Sequence, residues 1–176
     1  IPEYLQIIKD HFKRRKNTER VDPNPGFLPL FLAYFRHPIE IVDNLLLGNV
    51  VNCSNYEQLK QYKINTIYNT TAELRCYFEY TKEFEYRQIP IYDIKDAELT
   101  HKFDKMVDQI DLDLQAGKRL LVHCHQGRSR SVSLIIAYLM KYRDMSCLEA
   151  YNLVKSKKAP VNVNRDFYNQ LSKYKK

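Results

Sequence analysis

Between residues 120 and 131 the chain reads Leu120-Leu121-Val122-His123-Cys124-His125-Gln126-Gly127-Arg128-Ser129-Arg130-Ser131, and the apolar run Val132 to Met140 follows without a break. An apolar strand that feeds a polar loop, which in turn opens a helix, turns successive backbone N–H groups inward. The helix start adds its unpaired donors and the positive end of its dipole. Such a loop is a seat for a dianion, and phosphate suits it in charge and in acceptor oxygens. His125, Gln126, Gly127, Arg128, Ser129 and Arg130 are therefore candidate phosphate ligands.

A cysteine at the strand end shares that field, which stabilises its thiolate and lowers its pKa below the free value of about 8.5. Cys124 is thus the candidate nucleophile. Arg130 is placed to close the loop and to take two phosphate oxygens through its planar fork, which a lysine point charge does not reproduce. Gly127 lets the loop curve with no Cβ in the way. Ser131 can donate its hydroxyl to sulfur as a thiolate departs. The plainer alternative, a buried core cysteine beside an unrelated loop, leaves the register of His, Cys, Gly, Arg and Ser without a cause. His123 reads as a loop-orienting hydrogen-bond partner rather than a base, because neighbouring strand residues face opposite ways. The same geometry argues against a zinc site at His123, Cys124 and His125, and no second Cys-x-x-Cys or His-x-x-x-His pair accompanies it. No metal and no cofactor are expected.

These residues need a scaffold. Short β-rich runs at 39–42, 45–47, 64–68, 86–91 and 119–123 alternate with helical patterns at 54–62, 100–115, 129–142, 146–157 and 165–174, the order of an α/β fold with helices flanking a sheet. Ahead of them, Ile1, Tyr4, Leu5, Ile8 and Phe12 recur at helical spacing, giving an amphipathic helix over 1–16. Asp22-Pro23-Asn24-Pro25-Gly26 ends it, and the apolar stretch 27–35 that follows is expected to pack down before His37-Pro38 turns the chain. A lone helix of 16 residues is marginal in water, so its stripe must dock on its own domain, on a second copy or on a partner. A homodimer or a substrate-docking role is the expectation here.

At 176 residues the chain suits one folded core, and no apolar run reaches the roughly 18–20 residues that a membrane span needs. The net charge of +7 gathers in Lys13-Arg14-Arg15-Lys16, Lys157-Lys158 and Lys175-Lys176, read as solvated faces. The four cysteines are too irregularly spaced for a disulfide framework, which favours a reducing compartment, cytoplasmic or nuclear. The chain begins at Ile1 rather than Met, which leaves a targeting segment open. Nucleic acid is not expected, since the 14 tyrosines form no aromatic-platform motif.

His123-Cys124-x-x-Gly127-x-x-Arg130-Ser131 resembles the signature of the cysteine-dependent phosphatases, in their dual-specificity branch. Ile41 to Asn49, Ala137-Tyr138-Leu139-Met140, Glu149-Ala150-Tyr151 and Asn164-x-x-Phe167-x-x-Gln170-Leu171 are also similar to family features. Leu46 stands where a tyrosine is common, and Val163 where a proline usually precedes the asparagine. The resemblance spans about residues 39–173. It implies a catalytic domain over 39–176 with an N-terminal helical extension over 1–38, a mixed, mostly parallel central sheet, a phosphocysteine intermediate and no metal. It also implies a general acid on a loop over the pocket. Asp93 matches that place, with Asp96 as rival and Glu98 a distant third. Asn164 matches the asparagine that braces the phosphate loop, and a helix N-cap role is compatible with that. The expected substrate is a protein carrying phosphotyrosine or phosphoserine/threonine. A phosphoinositide or other phospholipid phosphatase, an RNA 5′-triphosphatase and a phosphoprotein-binding module are the alternatives. His125 and Arg128 could serve a second phosphate or a polyanionic headgroup, or be plain variation at outward loop positions.

Overall fold

The computed structural model describes residues 3–14, 19–94, 97–158 and 160–174. A five-stranded sheet runs in the order β1-β2-β5-β3-β4. Strands β1 (Ile39–Val42) and β2 (Leu45–Gly48) form an antiparallel pair at one edge. From β2 inward, β5 (Leu120–His123), β3 (Thr66–Asn69) and β4 (Glu85–Gln88) are all parallel neighbours. This is the mixed, mostly parallel sheet expected.

Alternation explains how both faces are covered. Leu45, Leu47, Tyr68, Leu120 and Val122 join one core, and Leu46, Ile67 and Leu121 the other. The first core is closed by α5 (Thr100–Gln115), α6 (Arg130–Tyr142), α7 (Cys147–Lys157) and α8 (Arg165–Ser172). The second is closed by α1 (Glu3–Arg14), α3 (Val50–Cys53) and α4 (Tyr56–Gln61). Helix α6 is buried from Arg130 through Met140, which is why that run carries almost no charge. Four helix starts carry side-chain caps: Ser146 and Glu149 form a capping box on α7, and the Asn49, Asn55 and Asn164 side chains cap α3, α4 and α8.

Three expectations shift. The strand expected at 86–91 ends at Gln88, because Pro90 has no N–H for a ladder; Ile89 still donates to the Asn69 carbonyl at 2.8 Å. The helix expected at 54–62 is shorter, α4 alone, begun at its Asn55 cap, and the unexpected α3 lies before that range. The stretch 27–35 does not pack down as a whole. In α2 (Phe27–Ala33) and the turn after it, Leu30, Ala33 and Tyr34 are buried, whereas Phe27, Leu28, Leu32 and Phe35 are exposed.

The amphipathic helix of the N-terminus is present as α1. Its Ile8 is buried in the second core with Tyr34, Leu46 and Val50, and Ile7 packs at its margin, so its own domain receives the stripe at these positions. Ile1 and the side chains of Tyr4 and Phe12 lie outside the described residues, as do Arg15, Lys16, Lys175 and Lys176 of the basic clusters. The chain reaches the catalytic side through residues 19–22. Arg20 forms an antiparallel bridge with Asn164, Val21 N–H donates to the Val163 carbonyl at 3.0 Å, and Arg165 N–H to that of Glu19 at 3.0 Å. Among the described residues no helix is long and apolar enough to cross a membrane.

Candidate active site

The loop between β5 and α6 sits at the carboxyl end of a central parallel strand, where α/β sheets present their ligand sites. Gly127 has φ +67°, a left-handed conformation. A Cβ there would clash with the Lys158 Nζ and would stand 2.7 Å from the Gly48 carbonyl oxygen. The residue must therefore be glycine on both counts. This conformation lets the Gly127 N–H point at the Cys124 Sγ, 3.2 Å away. The Ser131 Oγ lies 3.0 Å from the same sulfur, so its hydroxyl can donate there.

Burial works against a charged Cys124. The Arg130 charge, the Ser131 hydroxyl and the backbone N–H groups of Ser131 and Arg128 outweigh it, so the thiol lies below its ordinary range. The other three cysteines are shifted the opposite way by burial: Cys53 far up, Cys76 and Cys147 more modestly. All four are free thiols. Of the four cysteines only Cys124 has a surrounding field that favours the thiolate, which sets it apart from the other three.

Arg130 is buried at the first turn of α6. Its Nη1 donates to Glu73 Oε2 at 2.7 Å and to the Ile91 carbonyl at 2.9 Å, and its Nη2 lies 2.7 Å from Glu73 Oε1. The fork is thus held rigidly by one carboxylate and one carbonyl. Its Nε is buried and has no hydrogen-bond partner, so the guanidinium keeps a donor for an incoming oxyanion. Burial raises the Glu73 carboxyl, but its hydrogen bond and charge pairing with Arg130 hold it below the usual range.

Asp93 reaches the loop through Ser129. Its Oδ1 accepts from Ser129 Oγ at 3.1 Å, and Arg20 Nη1 lies 3.1 and 3.0 Å from its two oxygens. The loop behind it is tied down by α8 and its cap: Asn164 Nδ2 donates to the Ile94 carbonyl at 3.1 Å and Gln170 Nε2 to that of Ala97 at 2.8 Å. Asp96 lies outside the described residues. Glu98 sits 3.3 Å from His101 at an exposed position, away from this network.

Several expected roles change in detail. The side-chain amide of Asn164 braces the segment after Asp93 at Ile94 and caps α8, whereas its backbone N–H reaches the β5–α6 loop by donating to Ser129 Oγ at 2.9 Å. The His125 ring does not face the phosphate seat. Its Nδ1 is 2.9 Å from the Tyr34 hydroxyl and its Nε2 3.2 Å from the Ile7 carbonyl, so it links the loop to α1 and to the turn after α2. Arg128 is not an outward position either: its buried guanidinium donates to Gln126 Oε1 at 3.2 Å. His123 is buried and pushed down to about 4 by burial, partly offset by its bond to the Cys124 carbonyl at 3.3 Å. Because a carbonyl only accepts, His123 Nδ1 carries the proton and the ring orients the loop while neutral.

Lys158 overturns the reading of Lys157-Lys158 as a solvated pair. It is 3% exposed, and its Nζ donates to the carbonyl of Gly127, whose own N–H meets Cys124, at 2.7 Å. Burial pushes its ammonium down to about 8; the Cys124 charge acts against that shift, while Arg128 and Arg36 add to it. Glu73 was also missed. Its one signal was a carboxylate in the polar stretch that leaves a strand at the sheet's carboxyl end. Lys158 and Arg20 had no local signal. Among the described residues no group of three or more His, Cys, Asp or Glu is arranged to hold a metal ion.

Gly127→Ala is expected to cost about 1–3 kcal/mol, from the left-handed backbone and the displaced Lys158. A lowered denaturation midpoint together with weakened binding of a phosphate mimic checks it. Unchanged values for both would mean that the loop does not need this geometry.

A thiolate seat closed by an arginine at the mouth of a mixed α/β sheet defines the class of the cysteine-dependent phosphatases. Comparison narrows it. The model of the dual specificity phosphatase catalytic domain matches residues 45–176. The chain belongs to that family. It is 40% identical over 134 residues to dual specificity protein phosphatase 9 of Homo sapiens, covering 76% of this chain and 35% of that protein. With human dual specificity protein phosphatase 6 it shares 37% identity over 171 residues, 95% of this chain and 45% of that protein. The chain therefore spans less than half the length of these two relatives. The crystal structure of human DUSP28 superposes with a TM-score of 0.73 at 25% identity, over 79% of this chain and 93% of that one.

Proposed function

We propose that this chain is a protein phosphatase that hydrolyses phosphotyrosine and phosphoserine/threonine esters through a phosphocysteine. The observation that carries the reading is the sulfur of Cys124, met by Gly127 N–H and Ser131 Oγ beside a guanidinium that retains a buried donor. In the first step the thiolate attacks phosphorus, the P–O ester bond breaks, and protonated Asp93 gives its proton to the leaving oxygen. In the second step Asp93, now a carboxylate, takes a proton from water as the water oxygen bonds to phosphorus and the P–S bond breaks. Ser131 then stabilises the departing thiolate. Arg130 and the loop N–H groups hold the equatorial oxygens throughout.

The family of the chain supports protein substrates over phospholipid or RNA ones. The burial of Arg128 and the engagement of His125 with Tyr34 remove the two features that favoured a polyanionic headgroup. We assign the catalytic unit to 39–176 and the extension to 1–38. The four free cysteines support a reducing compartment, cytoplasmic or nuclear.

Asp93→Asn tests the acid. Its kcat/KM on a phosphotyrosine peptide should fall about 100- to 1,000-fold, and less than about tenfold on an aryl phosphate whose anion leaves unaided. Equal losses on both substrates would remove Asp93 from the role, and the same pattern in Asp96→Asn would transfer it.

A further inference from the structure

The family's site does not account for Arg20. It lies in the N-terminal extension, before the first residue that the family match covers, yet its side chain is only 10% exposed and its Nη1 spans both oxygens of Asp93. Its Nη2 is buried without a hydrogen-bond partner, so the guanidinium is held at Asp93 without full satisfaction of its donors. The segment that delivers it is a short strap. Glu19 and Val21 pair with the backbone of Arg165 and Val163, Arg20 bridges Asn164, and Asp22 N–H donates to Asn162 Oδ1 at 3.2 Å. The Asp22 carboxylate accepts from the Tyr151 hydroxyl and pairs with Lys155 at 3.0 Å. Pro23 and Pro25 then lack the N–H groups that would prolong the pairing. Asn164 is the hinge of the arrangement: its backbone touches the strap on one side and Ser129 on the other, and Ser129 holds Asp93.

We propose that Arg20 is a latch on the general acid, a positioning residue through which the N-terminal strap keeps Asp93 as a carboxylate. The proposal rests on the reading of Asp93 as the general acid. A guanidinium about 3 Å from a carboxylate favours its ionised form. The first step requires the protonated form, and the second requires the ionised one. The latch therefore disfavours ester cleavage of poor leaving groups, favours breakdown of the phosphocysteine, and sets the pH at which cleavage fails. The charged groups around Asp93 include Arg20 from the strap and Arg130 from α6, with Glu73 and Cys124 behind Arg130. On the strap's flanks Glu19 faces Arg165 at 3.7 Å, and Asp22 faces Lys155. A partner or modification that lifted the strap would release the acid.

The test is the pH profile of kcat/KM for the full chain, with a phosphotyrosine peptide and with an activated aryl phosphate. Arg20→Gln should move the falling limb on the peptide upward by about one pH unit, a gain approaching tenfold above that limb. It should leave the activated substrate's profile in place. Arg20→Lys keeps the charge and should keep the limb. In an Asp93→Asn background Arg20→Gln should add nothing. If Arg20→Gln does not fold, Asp22→Asn, which loosens the strap, must move the limb in the same direction by a smaller amount. An unmoved limb in a folded variant, while Asp93→Asn still shows its leaving-group dependence, overturns the latch alone. Loss of that dependence in Asp93→Asn overturns the acid assignment itself.

Discussion

Cys124→Ser is expected to lose steady-state turnover by about 10,000-fold or more on every substrate while still binding a phosphate mimic within a few-fold of the parent. The asymmetry follows from the division of labour in the loop. Binding draws on backbone N–H groups and on Arg130, none of which the substitution removes. Chemistry draws on sulfur, whose thiolate is favoured by Arg130, Ser131 and two loop N–H groups against the opposing effect of burial. A serine hydroxyl has no comparable route to an anion near neutral pH, because its oxygen starts from a far higher pKa, and the adjoining His123 is neutral and turned to a carbonyl. Isothermal titration with tungstate and turnover with an aryl phosphate separate the two quantities. Retained turnover would sink the covalent mechanism, and lost anion binding would mean that the thiolate itself organises the loop.

What the sequence disclosed and what it concealed divide along sequence distance. The strand, loop and helix from Leu120 to Met140 are contiguous, so their chemistry could be read from residue order: the apolar run into the sheet, the polar turn, and the apolar helix that closes it. Parallel β2, β3 and β5 were legible for the same reason, as short apolar runs between helical patterns. At 86–91 the apolar run outlasts the strand, because Pro90 cannot donate to a ladder whatever the hydrophobicity around it. At 27–35 apolar composition does not translate into burial, since Leu30, Ala33 and Tyr34 are buried while Phe27, Leu28, Leu32 and Phe35 are exposed.

Contacts between distant segments were not legible. Glu73 meets Arg130 across 57 residues, Lys158 meets Gly127 across 31, and Arg20 meets Asp93 across 73. Each is an ordinary charged residue in its local setting, and Lys158 sits in a Lys-Lys pair that composition alone assigns to solvent. His125 and Arg128 illustrate the converse. Their place in the loop suggested substrate contacts, but a loop with its concave side given to backbone N–H groups has its side chains free to anchor it from behind, to Tyr34 and Ile7 or to Gln126.

Arg130→Lys should be nearly as damaging, with kcat and kcat/KM falling together by about 1,000-fold, because what is lost acts in the transition state more than in the ground state. The native guanidinium spends Nη1 and Nη2 on Glu73, shares Nη1 with the Ile91 carbonyl, and leaves a buried Nε without a hydrogen-bond partner, the donor proposed for substrate oxygen. A lysine has one nitrogen for all three tasks. Glu73 lies beside that nitrogen, and a carboxylate that is already ionised will capture it before a substrate arrives. Charge neutrality survives, so the fold should largely survive too, with a loss of about 1–2 kcal/mol from the missing bond to Ile91. The substitution also weakens the field on Cys124, since Arg130 is the leading influence favouring its thiolate. The pH dependence of Cys124 alkylation by iodoacetamide should therefore move upward in Arg130→Lys. Glu73→Gln in the lysine background offers an internal check, because it frees the ammonium from capture and should recover part of the rate if capture is the cause. Activity within tenfold of the parent, with an unmoved alkylation profile, would show that Arg130 neither clamps the phosphoryl group nor sets the state of the nucleophile.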